Sequence, residues 1–81
     1  MNETMTGWTP AEAGRAGTVY TRTLKDGTFA VAGNLSGSWG WDTFSREQPY
    51  ADLDFDTATT SGEYETPEAM LADMRRLGLV D

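Results

Sequence analysis

Asp26-Gly27 lies midway between two runs of alternating residues, and this arrangement constrains the fold more than any other feature of the chain. Before it, Val19, Thr21 and Thr23 fall on one face and Tyr20, Arg22 and Leu24 on the other. After it, Phe29, Val31 and Leu35 continue at even spacing. Successive side chains on a strand point to opposite faces, and β-branched residues suit the pleated surface. Asp-Gly offers the two positive-φ residues that a type I′ turn demands, so the segment is read as a β-hairpin.

The neighbouring segments extend the same logic. After the flexible stretch Ser36-Gly37-Ser38, Trp39, Trp41 and Thr43 share one face of a third strand, with Phe44 on the other. Pro49 breaks the pattern, and Tyr50 to Asp56 then alternates, Leu53 and Phe55 against Asp52, Asp54 and Asp56, as a fourth strand. Thr57 to Gly62 reads as a polar loop. Thr66-Pro67-Glu68 supplies an N-cap, a first-turn proline and a first-turn acid, and Arg75, Arg76 and Gly78 supply the stop. Met70, Leu71, Met74 and Leu77 form the apolar stripe of this helix. Residues 1–17 hold Trp8 as their main apolar anchor among glycines and small polar residues, and read as a flexible arm. The expectation is an α+β domain over residues 18–81: three or four antiparallel strands in a meander, with one C-terminal helix packed on one face.

Composition then excludes function classes. An 81-residue chain buries only about 60 to 65% of its unfolded surface, too little for a deep cleft between lobes. With no His and no Cys, imidazole bases, thiolate nucleophiles, Cys/His zinc sites and disulfides are all out of reach. The serines and threonines have no identifiable base, and Gly33 to Gly40 lacks the Gly-Lys-Ser/Thr ending of a phosphate loop. The reading is therefore a non-enzyme without cofactor or metal. A net charge of −7 opposes direct binding to nucleic acid or to anionic lipid. No leader-like segment and no apolar run of membrane-spanning length is visible, which reads as cytoplasmic.

The charge is unevenly placed. Residues 1–46 carry four acids and four bases, and the whole −7 lies in residues 47–81. From Glu47 to Glu68 there are seven acids and no base. On a strand, Asp52, Asp54 and Asp56 would form a same-side row about 14 Å long. That is about half the charge density of a duplex strand, whose phosphates recur about every 3.4 Å, with Glu47, Glu63 and Glu65 left to supply the rest. Such a surface fits a Lys/Arg-lined groove, although acids on an outward face also simply keep a small domain soluble.

Two other constellations compete. Asp52, Asp54, Asp56 and Glu63 have the spacing of a calcium loop, but Thr57 stands where that loop needs glycine, and no helix precedes it. Trp39 and Trp41 offer an aromatic hot spot for a protein partner, or else core; an exposed strand edge offers a second docking mode. A small sheet also leaves room for a homodimer that pairs edges or tryptophans.

Taken together, the small size, the acidic C-terminal half, the hairpin meander and the Thr66-Pro67-Glu68 helix resemble small anti-CRISPR proteins encoded by phages and mobile elements. The Ala/Gly/Arg/Asp-rich character is similar to those from high-GC proteobacterial hosts, and leans toward inhibitors of type I surveillance complexes, type I-C among them. The likeness is one of whole-chain character, without a signature motif. It implies an acidic, non-catalytic protein in the bacterial cytoplasm that docks on the basic DNA-binding groove of the RNA-guided complex, on its backbone subunit. Glu47, Asp52, Asp54, Asp56, Glu63 and Glu65 would act as phosphate surrogates, with Trp39 and Trp41 as further contacts.

Overall fold

A computed structural model describes residues 5–12, 17–34 and 37–81. The hairpin is present: β2 (Thr18–Thr23) and β3 (Phe29–Asn34) pair antiparallel, with Thr23 opposite Phe29 and Tyr20 opposite Ala32. Its turn differs from the expected one. The Gly27 N–H donates to the Leu24 carbonyl at 3.0 Å, and the Leu24 N–H donates to the Thr28 carbonyl at 2.7 Å. Among the described residues only glycines have positive φ, Gly27 at 91°, so Asp26 does not adopt a type I′ conformation. The connection is a three-residue loop closed by a glycine bulge. Asp26 is held there because its carboxylate accepts from both the hydroxyl and the N–H of Thr28, at 2.6 and 2.9 Å. Those two bonds, the hydroxyl first, lower its pKa. Leu35 and Ser36 lie outside the described residues.

β4 (Trp39–Phe44) pairs with β3, placing Gly33 opposite Gly40 and Val31 opposite Asp42. Two short edge strands complete a five-stranded antiparallel sheet in the order β1-β2-β3-β4-β5. They are β1 (Thr9–Glu12) and β5 (Thr59–Thr60), the latter inside the segment expected to be a loop. β1 also corrects the reading of residues 1–17 as a loose arm, as far as its described part goes. Thr9 pairs opposite Thr21 and Pro10 opposite Tyr20, and Met5 and Trp8 are buried. Pro10 is tolerated because an edge strand does not need every N–H in the ladder. Burial of an indole adds enough apolar contact to order a segment without periodicity. Residues 1–4 and 13–16 of that arm lie outside the described residues.

Both faces of the sheet are covered. On one, α1 (Pro67–Arg76) lays Met70, Leu71 and Met74 over Ala30 and Ala32, with Met5, Trp8, Leu24, Trp41 and Val80 around them. The small alanines let the helix sit close. On the other, Val19, Phe29, Val31 and Phe44 pack beneath Tyr50, Leu53 and Ala58. The Thr66 hydroxyl caps α1 by accepting the Ala69 N–H at 3.1 Å, as the sequence implies.

The C-terminal end of α1 departs from the expected stripe. Leu77 is the C-cap and 51% exposed, and the apolar face continues instead through half-buried Leu79 and buried Val80. Gly78, at φ 77°, turns the chain so that its N–H reaches the Arg75 carbonyl at 3.0 Å and the Leu79 N–H reaches that of Met74 at 2.9 Å. This paired closure brings Leu79 back onto the last turn. The Leu79 carbonyl then accepts the Lys25 N–H at 2.9 Å, tying the tail to the hairpin tip. Gly78→Ala, forced into a left-handed conformation, should cost about 1 kcal/mol. For a domain of this size that lowers the thermal midpoint by about 4–8 °C, read by circular dichroism; an unchanged midpoint would contradict this account of the cap.

Candidate functional site

The acidic stretch does not form a fourth strand. Tyr50–Asp52 and Phe55–Thr57 are single 3₁₀ turns joined through Leu53 and Asp54. The reason is local hydrogen bonding. The Asp54 carboxylate accepts the Asp56 N–H at 3.0 Å, and the Asp54 carbonyl accepts the Thr57 N–H at 3.0 Å and its hydroxyl at 2.8 Å. Asp and Thr side chains offer the backbone this alternative to a ladder, and Pro49 before them has no N–H to give to one. The expected straight row of Asp52, Asp54 and Asp56 is therefore replaced by three exposed carboxylates on successive turns. Leu53 still packs inward, and the Phe55 ring meets Phe44 edge-on at 5.2 Å and Tyr50 at 5.7 Å. These aromatic contacts pin the acidic segment to the sheet, so its charges sit on a fixed support.

Where the bases lie matters as much. Lys25 pairs with Asp81 at 2.9 Å, which lowers the Asp81 pKa, and the Arg75 Nε donates to the Asp81 main-chain oxygen at 3.1 Å. Arg76 holds Asp73 through Nε at 2.8 Å and through a second, closer nitrogen. Arg22 stacks over the Trp8 ring, 5.7 Å from its centroid. Among the described residues no base pairs with Glu47, Asp52, Asp54, Asp56, Glu63 or Glu65, all of them exposed. Lys25, Arg22, Arg75 and Arg76 are thus engaged at the hairpin tip, against Trp8 and at the helix end, whereas exposed Arg46, next to Glu47 in the sequence, has no ion pair among the described residues, and neither do the acids from 47 to 65. No three carboxylates among the described residues stand in an arrangement that would hold a metal ion.

Trp41 belongs to the core cluster. It is buried and stacks on Tyr64 with centroids 5.8 Å apart and planes 14° from parallel. Trp39 is half-buried against the same core and exchanges both backbone hydrogen bonds with Tyr64, each at 2.8 Å. In a domain this small the tryptophans serve as core, and Trp41, expected as a partner contact, is buried in the free chain. Tyr64 itself escaped the sequence reading. Its hydroxyl donates to Asp73 Oδ2 at 2.5 Å, and its bridge to Trp39 carries Glu63 and Glu65 on either side. The i, i+3 spacing of Asp73 and Arg76 was a visible signal for half of this cluster; the tyrosine comes from elsewhere in the chain.

This cluster has a defined pH response. The bond to Asp73 raises the Tyr64 pKa above its ordinary 10.0, and the same bond, then Arg76, lowers that of Asp73 below 3.8. The Tyr64 contribution is therefore fully present below pH 10 and lost as pH rises through its higher folded value. The Asp73 contribution is present above pH 3.8 and lost as pH falls through its lower folded value. Tyr64→Phe should be less stable than the wild type by a constant margin at neutral pH, and the margin should shrink as pH climbs past 10. Thermal melts across pH 7 to 11 check this, and a margin that does not narrow would contradict it.

Fold and site together define a small α+β domain with an unneutralised acidic surface. Compared with protein-family models, with curated proteins and with solved structures, the chain matches none.

Proposed function

We propose that the chain is a non-catalytic acidic inhibitor that occludes the basic nucleic-acid-binding groove of a bacterial CRISPR RNA-guided complex of type I, with type I-C the first subtype to test. The observation that carries the reading is the segregation of charge: Lys25, Arg22, Arg75 and Arg76 are engaged away from residues 47–65, whose six carboxylates, with Arg46 the one described base beside them in the sequence, are left for an external cation. Carboxylates presented this way pair with the Lys and Arg that otherwise hold phosphate, and they speed encounter through long-range attraction. No bond is made or broken; the protein acts by filling the groove. The choice of a CRISPR complex as owner of that groove follows the likeness in size, charge and architecture described above.

The test is competition. A purified type I complex bound to a labelled target duplex should release it on addition of this protein at near-stoichiometric amounts in low salt, and much less in high salt, as screening weakens exposed charges. Retention of the duplex at large excess would overturn the proposal. The rival reading, docking through the Trp39/Trp41 face, loses support because Trp41 is stacked in the core, and leaves only the exposed strand edges.

A further inference from the structure

β4 and β5 are joined by a bulge that opens a small trough. Asp42 pairs opposite Thr60, whereas Trp39 bridges to Tyr64, so two residues on one side face three on the other. The Ser61 hydroxyl fills the gap by accepting the Trp41 N–H at 2.8 Å. Around this point lies an open concavity of about 220 Å³. Its floor is Gly33 opposite Gly40, on the sheet face away from α1. A Cβ on Gly40 would stand 3.1 Å from the Gly62 carbonyl oxygen, so that acceptor, which already takes the Ser61 hydroxyl at 3.0 Å on one side, projects over the floor and would have to give way to a larger residue.

Asp42, two residues beyond Gly40, shares that face and lines the trough. It is half-buried, and among the described residues its carboxylate has neither an ion pair nor a hydrogen bond. None of its oxygens is sealed from solvent, and the carboxylate offers a charge-assisted acceptor that no described group of the chain already holds. The trough has no basic side chain in its lining, and Glu63 adds a second negative charge.

From this geometry we infer that the trough takes a guanidinium, supplied by an arginine of the partner protein; the source of the arginine rests on the reading of the chain as an occluder of a basic groove. A guanidinium is flat and weakly hydrated, and presents five donors in a fork. It can engage the Asp42 carboxylate with two N–H groups and the Gly62 carbonyl with another, while its face lies on the glycine backbone. A lysine ammonium matches fewer of these acceptors and keeps its water more strongly.

The experiment is a titration of the full chain with N-acetyl-L-arginine amide, followed by amide NMR shifts. Saturable shifts at Gly33, Gly40 and Gly62 are expected. Binding should be several-fold weaker for the lysine counterpart and on the order of tenfold weaker for Asp42→Asn, from loss of a charge-assisted pair. Glu12→Gln, which removes one charge at the opposite edge of the sheet, should bind the probe as the wild type does. Shifts that do not saturate, that centre on residues 52–56, or that are identical in Asp42→Asn would overturn the inference. Intermolecular NOEs from the probe side chain to the Gly33 and Gly40 α-protons decide the same question on the wild type, should Asp42→Asn not fold. The two readings fail separately. Probe binding without displacement of the duplex keeps the trough and removes the CRISPR partner, whereas displacement without probe binding removes the trough alone.

Discussion

Met70→Ala is expected to cost about 2–5 kcal/mol of unfolding free energy, a large share of the roughly 4–12 kcal/mol that a domain of this length holds. Met70 is fully buried where α1 meets Ala30 and Ala32, and those alanines have no side chain with which to fill the space left by the lost thioether. The cavity therefore persists, and the helix loses its hold on the sheet face. Urea unfolding should show a much lower midpoint with an unchanged slope. Leu77→Ala is the internal control: Leu77 is 51% exposed at the cap, so its truncation should change stability by no more than about 0.5 kcal/mol. Equal losses for the two variants would contradict the placement of the core.

The second large effect concerns binding. Asp52→Asn/Asp54→Asn/Asp56→Asn should lower affinity for the basic partner on the order of a hundredfold at low salt, since three charge-assisted contacts are reduced to neutral ones. The fold should be spared, because an asparagine at 54 keeps an oxygen that can accept the Asp56 N–H. The aromatic contacts of Phe55 with Phe44 and Tyr50 are untouched. An unchanged melt with strongly reduced capture is the expected pair of results. A variant that binds as tightly as the wild type would show that these acids only solvate.

Elements set by local chemistry were legible in the sequence. The Thr66 cap, the proline after it and the Met70/Leu71/Met74 face define α1 within a few residues, and the Asp26-Gly27 hairpin is where it was expected. The details that failed have physical causes. At the turn, Asp26 found a better partner in Thr28 than a positive φ would allow. Between Tyr50 and Asp56, alternation was a true sign that Leu53 faces inward and the aspartates outward, but period alone does not separate a strand from consecutive turns. The Asp54 side-chain bond decided it. β1 was invisible because Thr9-Pro10-Ala11-Glu12 has no apolar periodicity; the burial of Met5 and Trp8, the packing of Ala11 on the other cluster and the pairing with β2 order it. The acidic residues were readable as exposed, whereas the engagement of the bases elsewhere depends on contacts between distant segments, such as Lys25 with Asp81.

The central claim is that the unneutralised acids of residues 47–65 engage a basic groove. It is tested most directly by capture of a type I CRISPR surveillance complex from bacterial lysate by the tagged wild type and by the triple Asp→Asn variant, each at low and at high salt. Recovery of the complex by the wild type at low salt, with loss in high salt and in the variant, is the predicted result. No recovery of the complex by the wild type, or equal recovery by both proteins at both salt concentrations, would contradict the claim.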